Sequence, residues 1–197
     1  LYGRVWSEQD VDKLYEAFEA TLHTVVAEYS TPLPGVAETV DKLRGMGLKI
    51  GSTTGYNSAM MAEVLPVAKA AGYAADCVVT PDVTGIGRPA PFMVFECMRQ
   101  LNVYPPRCVV KVGDTVVDMQ EGKNAGAFAI GILTGSNLLG LTKEEYDAMP
   151  AELLAQRKQV AADRYRAAGA DLVIDSIRDL PAAIETLNER LRKEGSL

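Results

Sequence analysis

The sequence has no excess of positive charge: 20 Lys and Arg stand against 26 Asp and Glu, a formal net charge of -6 at pH 7. Binding to a nucleic-acid backbone or an anionic membrane surface needs a clustered positive face, so the balance argues against both as general functions. A small phosphorylated ligand stays open, because it needs only a local site. No apolar run approaches the roughly 18 residues that a membrane span requires. Cysteine is scarce: Cys77, Cys97 and Cys108 form an odd set without the paired spacing of a metal site. That pattern points to reduced thiols in a cytoplasmic protein. All three lie in apolar stretches and are expected in the core. Histidine occurs once, as His23 in the first helical stretch, where a structural role is expected rather than catalysis. Sequence repeats and low-complexity tracts are absent. So is an initiator methionine: the chain opens on LYGRVWSEQD, without the zones of a signal peptide, and a processed or truncated start is expected.

What is present is a globular composition. The chain has 197 residues, 48% hydrophobic and 23% charged, enough for one ordinary core with or without a small appendage. Ser7 and Asp10 make a capping box, and Val11, Leu14, Phe18, Leu22, Val25 and Tyr29 recur at three- and four-residue steps, which predicts a helix over 8–29. STPLPG then breaks the pattern as a linker. From Val36 onward helices alternate with apolar runs. A helix ending near Gly47 leads to LKIGSTT, and a helix over 57–71 leads to CVVT. A helix over 91–100 precedes CVVKVGD, and one ending at Ala125 precedes AFAIGIL. A long helix opened by Thr142 and Glu145 ends at Gly169, before ADLVID and a terminal helix over 177–192. Continuous apolar strands between helices predict an α/β fold, a doubly wound parallel sheet covered on both faces. Ligands of such sheets bind beyond the carboxyl ends of the strands.

Three strand ends there carry polar residues. In GSTTGYN, Thr54 closes a strand, Gly55 permits a tight turn and a helix follows, an arrangement suited to phosphate. Thr54 as a simple helix cap is the competing reading. Tyr56 either lines a pocket or packs beneath a neighbouring domain. In GIGRPAPF, Arg88 is fixed between a glycine turn and two prolines, which suits bidentate anion binding, although a solvated arginine before a helix start fits as well. In VGDTVVDM, Asp114 and Asp118 stand one helical turn apart and are expected to face one volume, where Mg²⁺ would relieve their repulsion. A helix cap with a second acid at the N-terminal dipole is the alternative there. Lys111 lies within a strand, away from its carboxyl tip, and is expected to reach a strand edge or a neighbouring carboxylate. The glycine-rich segment 133–141 forms a loop near the site.

Hydroxyl, arginine and acid pair, in that order at successive strand ends, resemble the haloacid dehalogenase (HAD) superfamily. Thr54 matches its second motif, Arg88 its basic third, and Asp114 with Asp118 its acidic fourth. KIGSTTGY, GRPAPF, KVGDTVVDM, AGYAADCVVTPD and LGLTKEEY look like the phosphonatase family within it, and the resemblance covers nearly the whole chain. It implies a homodimeric, Mg²⁺-dependent hydrolase of an organophosphonate, with no nucleic-acid or membrane partner. A cap-domain lysine would form a Schiff base with the substrate aldehyde, and a core aspartate would attack phosphorus. It also implies that residues 1–31 are the last part of a helical cap and that 32–197 form a core lacking its first strand. That strand, with its aspartate, and the cap lysine are expected upstream, with a break in the sheet between the strands ending at Thr54 and Asp114. The alternatives are another capped HAD phosphatase or phosphomutase, or a non-catalytic phosphate-binding protein.

Overall fold

The computed structural model of the chain describes residues 6–193 and 195, apart from the side chains of residues 20, 23 and 24. The expectation for His23 falls on one of those side chains. Helix α1 (Glu8–Val25) stands first, and α2 (Val36–Gly45) leads into β1 (Gly51–Thr53). Helix α3 (Ser58–Ala70) crosses to β2 (Cys77–Val79), and α4 (Pro81–Thr84) with α5 (Phe92–Leu101) crosses to β3 (Val110–Gly113). Helix α6 (Val116–Asn124) joins β3 to β4 (Phe128–Ile132), while α7 (Lys143–Ala148) and α8 (Ala151–Ala167) join β4 to β5 (Leu172–Ile174). Helix α9 (Leu180–Lys193) follows. Among the described residues no helix is long and apolar enough to cross a membrane.

All pairings are parallel: Gly51 stands opposite Cys77, Val110 opposite Phe128, and Ile130 opposite Leu172. Parallel neighbours require crossovers, and the helices supply them. The strands form two sheets, β1–β2 and β3–β4–β5, and no ladder joins β1 to β3 among the described residues. Between them lies a cleft of about 640 Å³ whose walls include Gly51, Thr53, Lys111, Val112, Leu43 and Leu180. Strand β4 shows why its run of apolar residues is continuous. Ala129 and Ile130 are both fully buried, but on opposite faces. Ala129 packs with Met119, Ala161 and Tyr165 from α6 and α8, whereas Ile130 packs with Leu43, Ile184 and Leu187 from α2 and α9.

Several boundaries differ from the sequence reading. Helix α1 ends at Val25 rather than Tyr29, and its last residues tighten into turns such as Tyr29 N–H to Val26 O at 3.2 Å. The single helix expected from Thr142 to Gly169 is two, because Pro150 forces Met149 into an extended conformation (φ −73°, ψ 134°). The terminal helix starts at Leu180, where Pro181 fits the first turn, after a 3₁₀ turn over Ile177–Asp179 capped by Ser176. Cys77 and Cys97 are buried as expected, but Cys108 ends an irregular 3₁₀ turn and is exposed.

Two glycines should respond to alanine with opposite signs. A Cβ on Gly131 would lie 2.7 Å from the buried Tyr165 ring, whereas a Cβ on Gly45 would meet nothing within 4 Å. Gly131→Ala is expected to cost about 1–3 kcal/mol by overpacking, and Gly45→Ala to gain about 0.5–1 kcal/mol by helix propensity. Urea unfolding of both variants measures this; two shifts of the same sign would contradict the packing described.

Candidate active site

The site is assembled at the carboxyl ends of β1 and β3. Thr54 follows β1 and is half-buried, and its Oγ1 accepts the Tyr56 backbone N–H at 3.0 Å. It does not cap α3. Asn57 does, through Oδ1 accepting from Met60 N–H at 2.9 Å. The Thr54 hydroxyl proton is therefore free of the helix. Asn57 also donates from Nδ2 to Glu19 Oε1 of α1 at 2.8 Å, which ties α1 to this end of the sheet. Tyr56 is exposed in the same turn.

Arg88 comes from the turn after α4. Its Nη2 lies 3.0 Å from where a Cβ on Gly55 would stand, so the absent side chain at Gly55 admits the guanidinium. Its Nη1 donates to Asp118 Oδ1 at 2.6 Å. Arg88 thus lies against the turn carrying Thr54 on one side and is bound to α6 on the other. The alternative of a freely solvated arginine does not hold.

Asp118 is the main correction. It is 3% exposed, and both of its oxygens are engaged. Oδ2 accepts from Thr115 N–H (3.1 Å) and Thr115 Oγ1 (2.6 Å), the capping box of α6. Oδ1 receives Arg88 and Lys111 Nζ, the latter at 3.1 Å. Burial pushes the carboxyl toward protonation, but Lys111, Thr115 and Arg88 outweigh it and hold the pKa below the ordinary value. The cations that relieve the repulsion at Asp118 are side chains of the chain itself, and each of its oxygens has partners among the described residues. The close approach is possible because residue 113 is glycine: a Cβ there would lie 2.3 Å from that of Asp118.

Asp114 is different. It lies exposed just past β3, with Oδ2 accepting the Asn137 backbone N–H at 3.1 Å. Its backbone carbonyl accepts from Tyr165 Oη at 2.6 Å, and the same hydroxyl reaches Ile132 O at 3.2 Å. Burial raises the Tyr165 hydroxyl to about 12, so it stays a donor. Asp114 Oδ1 has no partner among the described residues. No cluster of three or more His, Cys, Asp or Glu is present among them. One exposed carboxylate with a free oxygen suits a hard divalent cation that keeps waters and phosphate oxygens, and does not suit an all-protein metal cage.

Lys111 reaches carboxylates, as its position in β3 suggests. Nζ lies 2.7 Å from Glu121 Oε2 and 3.1 Å from Asp118 Oδ1, and donates to Thr53 Oγ1 at 2.6 Å. Three oxygens therefore surround Nζ, which leaves it no open approach as an amine nucleophile. Glu121, fully buried, and Tyr165 escaped the sequence reading. Glu121 had a signal: it stands three residues after Asp118 and so on the same helix face. Tyr165, 51 residues from Asp114, had none.

The haloacid dehalogenase-like hydrolase model matches residues 3–126, and a second HAD-like hydrolase model matches residues 85–180. The chain is 47% identical over 190 residues to phosphonoacetaldehyde hydrolase of Parabacteroides distasonis and 49% identical to that of Bacteroides fragilis. Each match covers 96% of this chain and 72% of the relative. The crystal structure of a phosphonoacetaldehyde hydrolase-like protein from Oleispira antarctica superposes with a TM-score of 0.93 at 35% identity, over 97% of this chain and 69% of that one. Thr54, Arg88 and Asp114 all fall within the matched range, and the chain belongs to the phosphonoacetaldehyde hydrolase family of HAD-like hydrolases.

Proposed function

We propose that this chain forms the phosphoryl-binding part of an enzyme that hydrolyses phosphonoacetaldehyde to acetaldehyde and phosphate. The observation that carries the reading is the Arg88 guanidinium, held between the Gly55 turn and Asp118 beside Thr54. In this reading Thr54 donates its hydroxyl, the backbone at Gly55 adds its N–H group, and the exposed Tyr56 lines the pocket. Arg88 pairs with the phosphoryl oxygens as negative charge shifts onto them. Asp114 would hold Mg²⁺ through its free oxygen, and the ion would neutralise phosphoryl charge.

We propose further that residues up to 31 belong to a cap, and that 32–197 form a core whose cleft between β1 and β3 takes one more parallel strand. The strand is supported by the facing edges of β1 and β3, which are unpaired among the described residues. The attacking aspartate would arrive on this strand and the Schiff-base lysine in the rest of the cap, whose iminium makes the carbon side a workable leaving group. The buried free thiols Cys77 and Cys97 support a cytoplasmic setting. The exposed Val11, Leu14, Tyr15 and Phe18 on α1 offer apolar surface for a homodimer.

Protein carrying the added strand should release acetaldehyde and phosphate in equal amounts from phosphonoacetaldehyde. Phosphate release from a phosphate ester, with none from the phosphonate, would select a capped HAD phosphatase instead.

Asp114→Asn should abolish Mg²⁺-dependent turnover and the calorimetric heat of Mg²⁺ binding. Both persisting near the parent level would remove Asp114 as the metal ligand.

Arg88→Ala should lower kcat/KM about a hundredfold, the loss of a charged hydrogen bond of about 3 kcal/mol. Arg88→Lys should fall between, because it keeps the charge and loses the fork. A change under about threefold in the alanine variant would contradict the role, given that scale.

A further inference from the structure

Lys111 and Glu121 take no part in the proposed chemistry, yet they are buried, charged and placed beside it. The Lys111 side chain is 10% exposed and Glu121 is fully buried. The three ammonium protons face three acceptors, Thr53 Oγ1, Glu121 Oε2 and Asp118 Oδ1, at 2.6, 2.7 and 3.1 Å. Thr53 passes its own proton to Glu121 Oε2 at 3.0 Å, which closes a ring of Thr53, Lys111 and Glu121. Arg88, Lys111, Asp118 and Glu121 together are two positive and two negative charges. The group is neutral, and losing one member leaves a buried charge uncompensated.

The backbone is shaped for this group. A Cβ on Gly122 would lie 2.9 Å from Lys111 Cβ and 3.3 Å from its Cγ, so a helical glycine makes room for the lysine stem. The group also spans the place where the fold has no ladder. Thr53 ends β1, Lys111 lies on β3, and no strand pairing connects the two among the described residues. Through Thr53 the lysine fixes the residue next to Thr54. Through Asp118 it fixes the carboxylate that holds Arg88.

We propose that Lys111 and Glu121 are positioning residues that set the distance between Thr54 and Arg88, and so the width of the phosphoryl site. This rests on the reading of Thr54 and Arg88 as phosphoryl-binding groups. Removing Lys111 alone would leave Glu121 and Asp118 with one cation between them, and loss of fold would obscure any effect on the site. Lys111→Met combined with Glu121→Leu removes one charge of each sign and fills the space with apolar atoms. A buried pair replaced in this way is commonly neutral or stabilising.

The test is calorimetric titration of inorganic phosphate in the presence of Mg²⁺, with urea unfolding of the same samples. The K111M/E121L variant is expected to unfold at the parental midpoint yet bind phosphate about tenfold or more weakly. A structural role alone would let stability and affinity return together, and that result overturns the proposal. Thr53→Val cuts the link without removing a charge and guards against failed folding of the double variant. It should weaken phosphate binding about fivefold, while Thr53→Ser, which keeps the hydroxyl, should match the parent. Undiminished affinity in Thr53→Val overturns the tie and leaves the site reading intact. A parent protein with no phosphate affinity overturns the site reading, and the tie with it.

Discussion

Asp118 Oδ1 is the atom on which the rest of the site depends, because two cations from distant parts of the chain converge on it. Arg88 arrives from the turn after α4 and Lys111 from the middle of β3, at 2.6 and 3.1 Å. At such separations a charge pair is worth about 5–6 kcal/mol for an effective dielectric constant of about 20, and desolvating each ion costs several kcal/mol. The two effects nearly cancel, so the convergence adds little to net stability. What it supplies is direction. A guanidinium that would sample many rotamers in water is held in one place, with Nη1 on Asp118 and Nη2 against the Gly55 turn. For the phosphoryl contact proposed for Arg88, order established before binding matters more than the energy of the pair itself.

Three absent side chains make that convergence possible. Gly55 admits Arg88, Gly113 admits Asp118, and Gly122 admits the stem of Lys111. In each case the glycine lies where a charged side chain passes close to backbone, and none of the three has a positive φ. Their conformational freedom is beside the point; a methyl group would collide. Gly122 shows the cost most plainly, since a glycine inside a helix gives up about 1 kcal/mol relative to alanine. The helix tolerates it because the lysine beneath is bound on three sides.

The parts legible in the sequence were those written in local pattern. Five apolar runs became five parallel strands, and Thr54 and Asp114 stand just past strand ends because polar residues interrupting an apolar run mark where it leaves the sheet, whereas Arg88 follows α4. Pairings across the chain were not legible. Lys111 meets Thr53 over 58 residues and Tyr165 meets the Asp114 carbonyl over 51. No periodicity encodes such a meeting. Asp118 misled for a related reason: a spacing of four says that two acids share a helix face, not which cations arrive from elsewhere. Asp114 precedes α6 and is exposed, whereas Asp118 lies within it and is buried. Pro150 is a plain local signal, and the capping box at Thr142 does not carry the helix past it.

The cleft and the site belong to one geometry. Thr53 and Lys111 line the cleft walls, and the residues that follow β1 and β3 are Thr54 and Asp114. A strand parallel to both and lying between them must end where they end. Its last side chain would therefore emerge between the threonine hydroxyl and the exposed carboxylate, with Arg88 alongside. Above that point, α1 is tethered through Glu19 to the cap of α3, and Leu33 packs against Gly135 in the loop that touches Asp114. The open end of the sheet is thus bordered by α1, the linker and the loop over residues 133–141. A charged reaction at that end gains from such a border, since each contact that excludes water strengthens the field of Arg88 and of any cation held by Asp114.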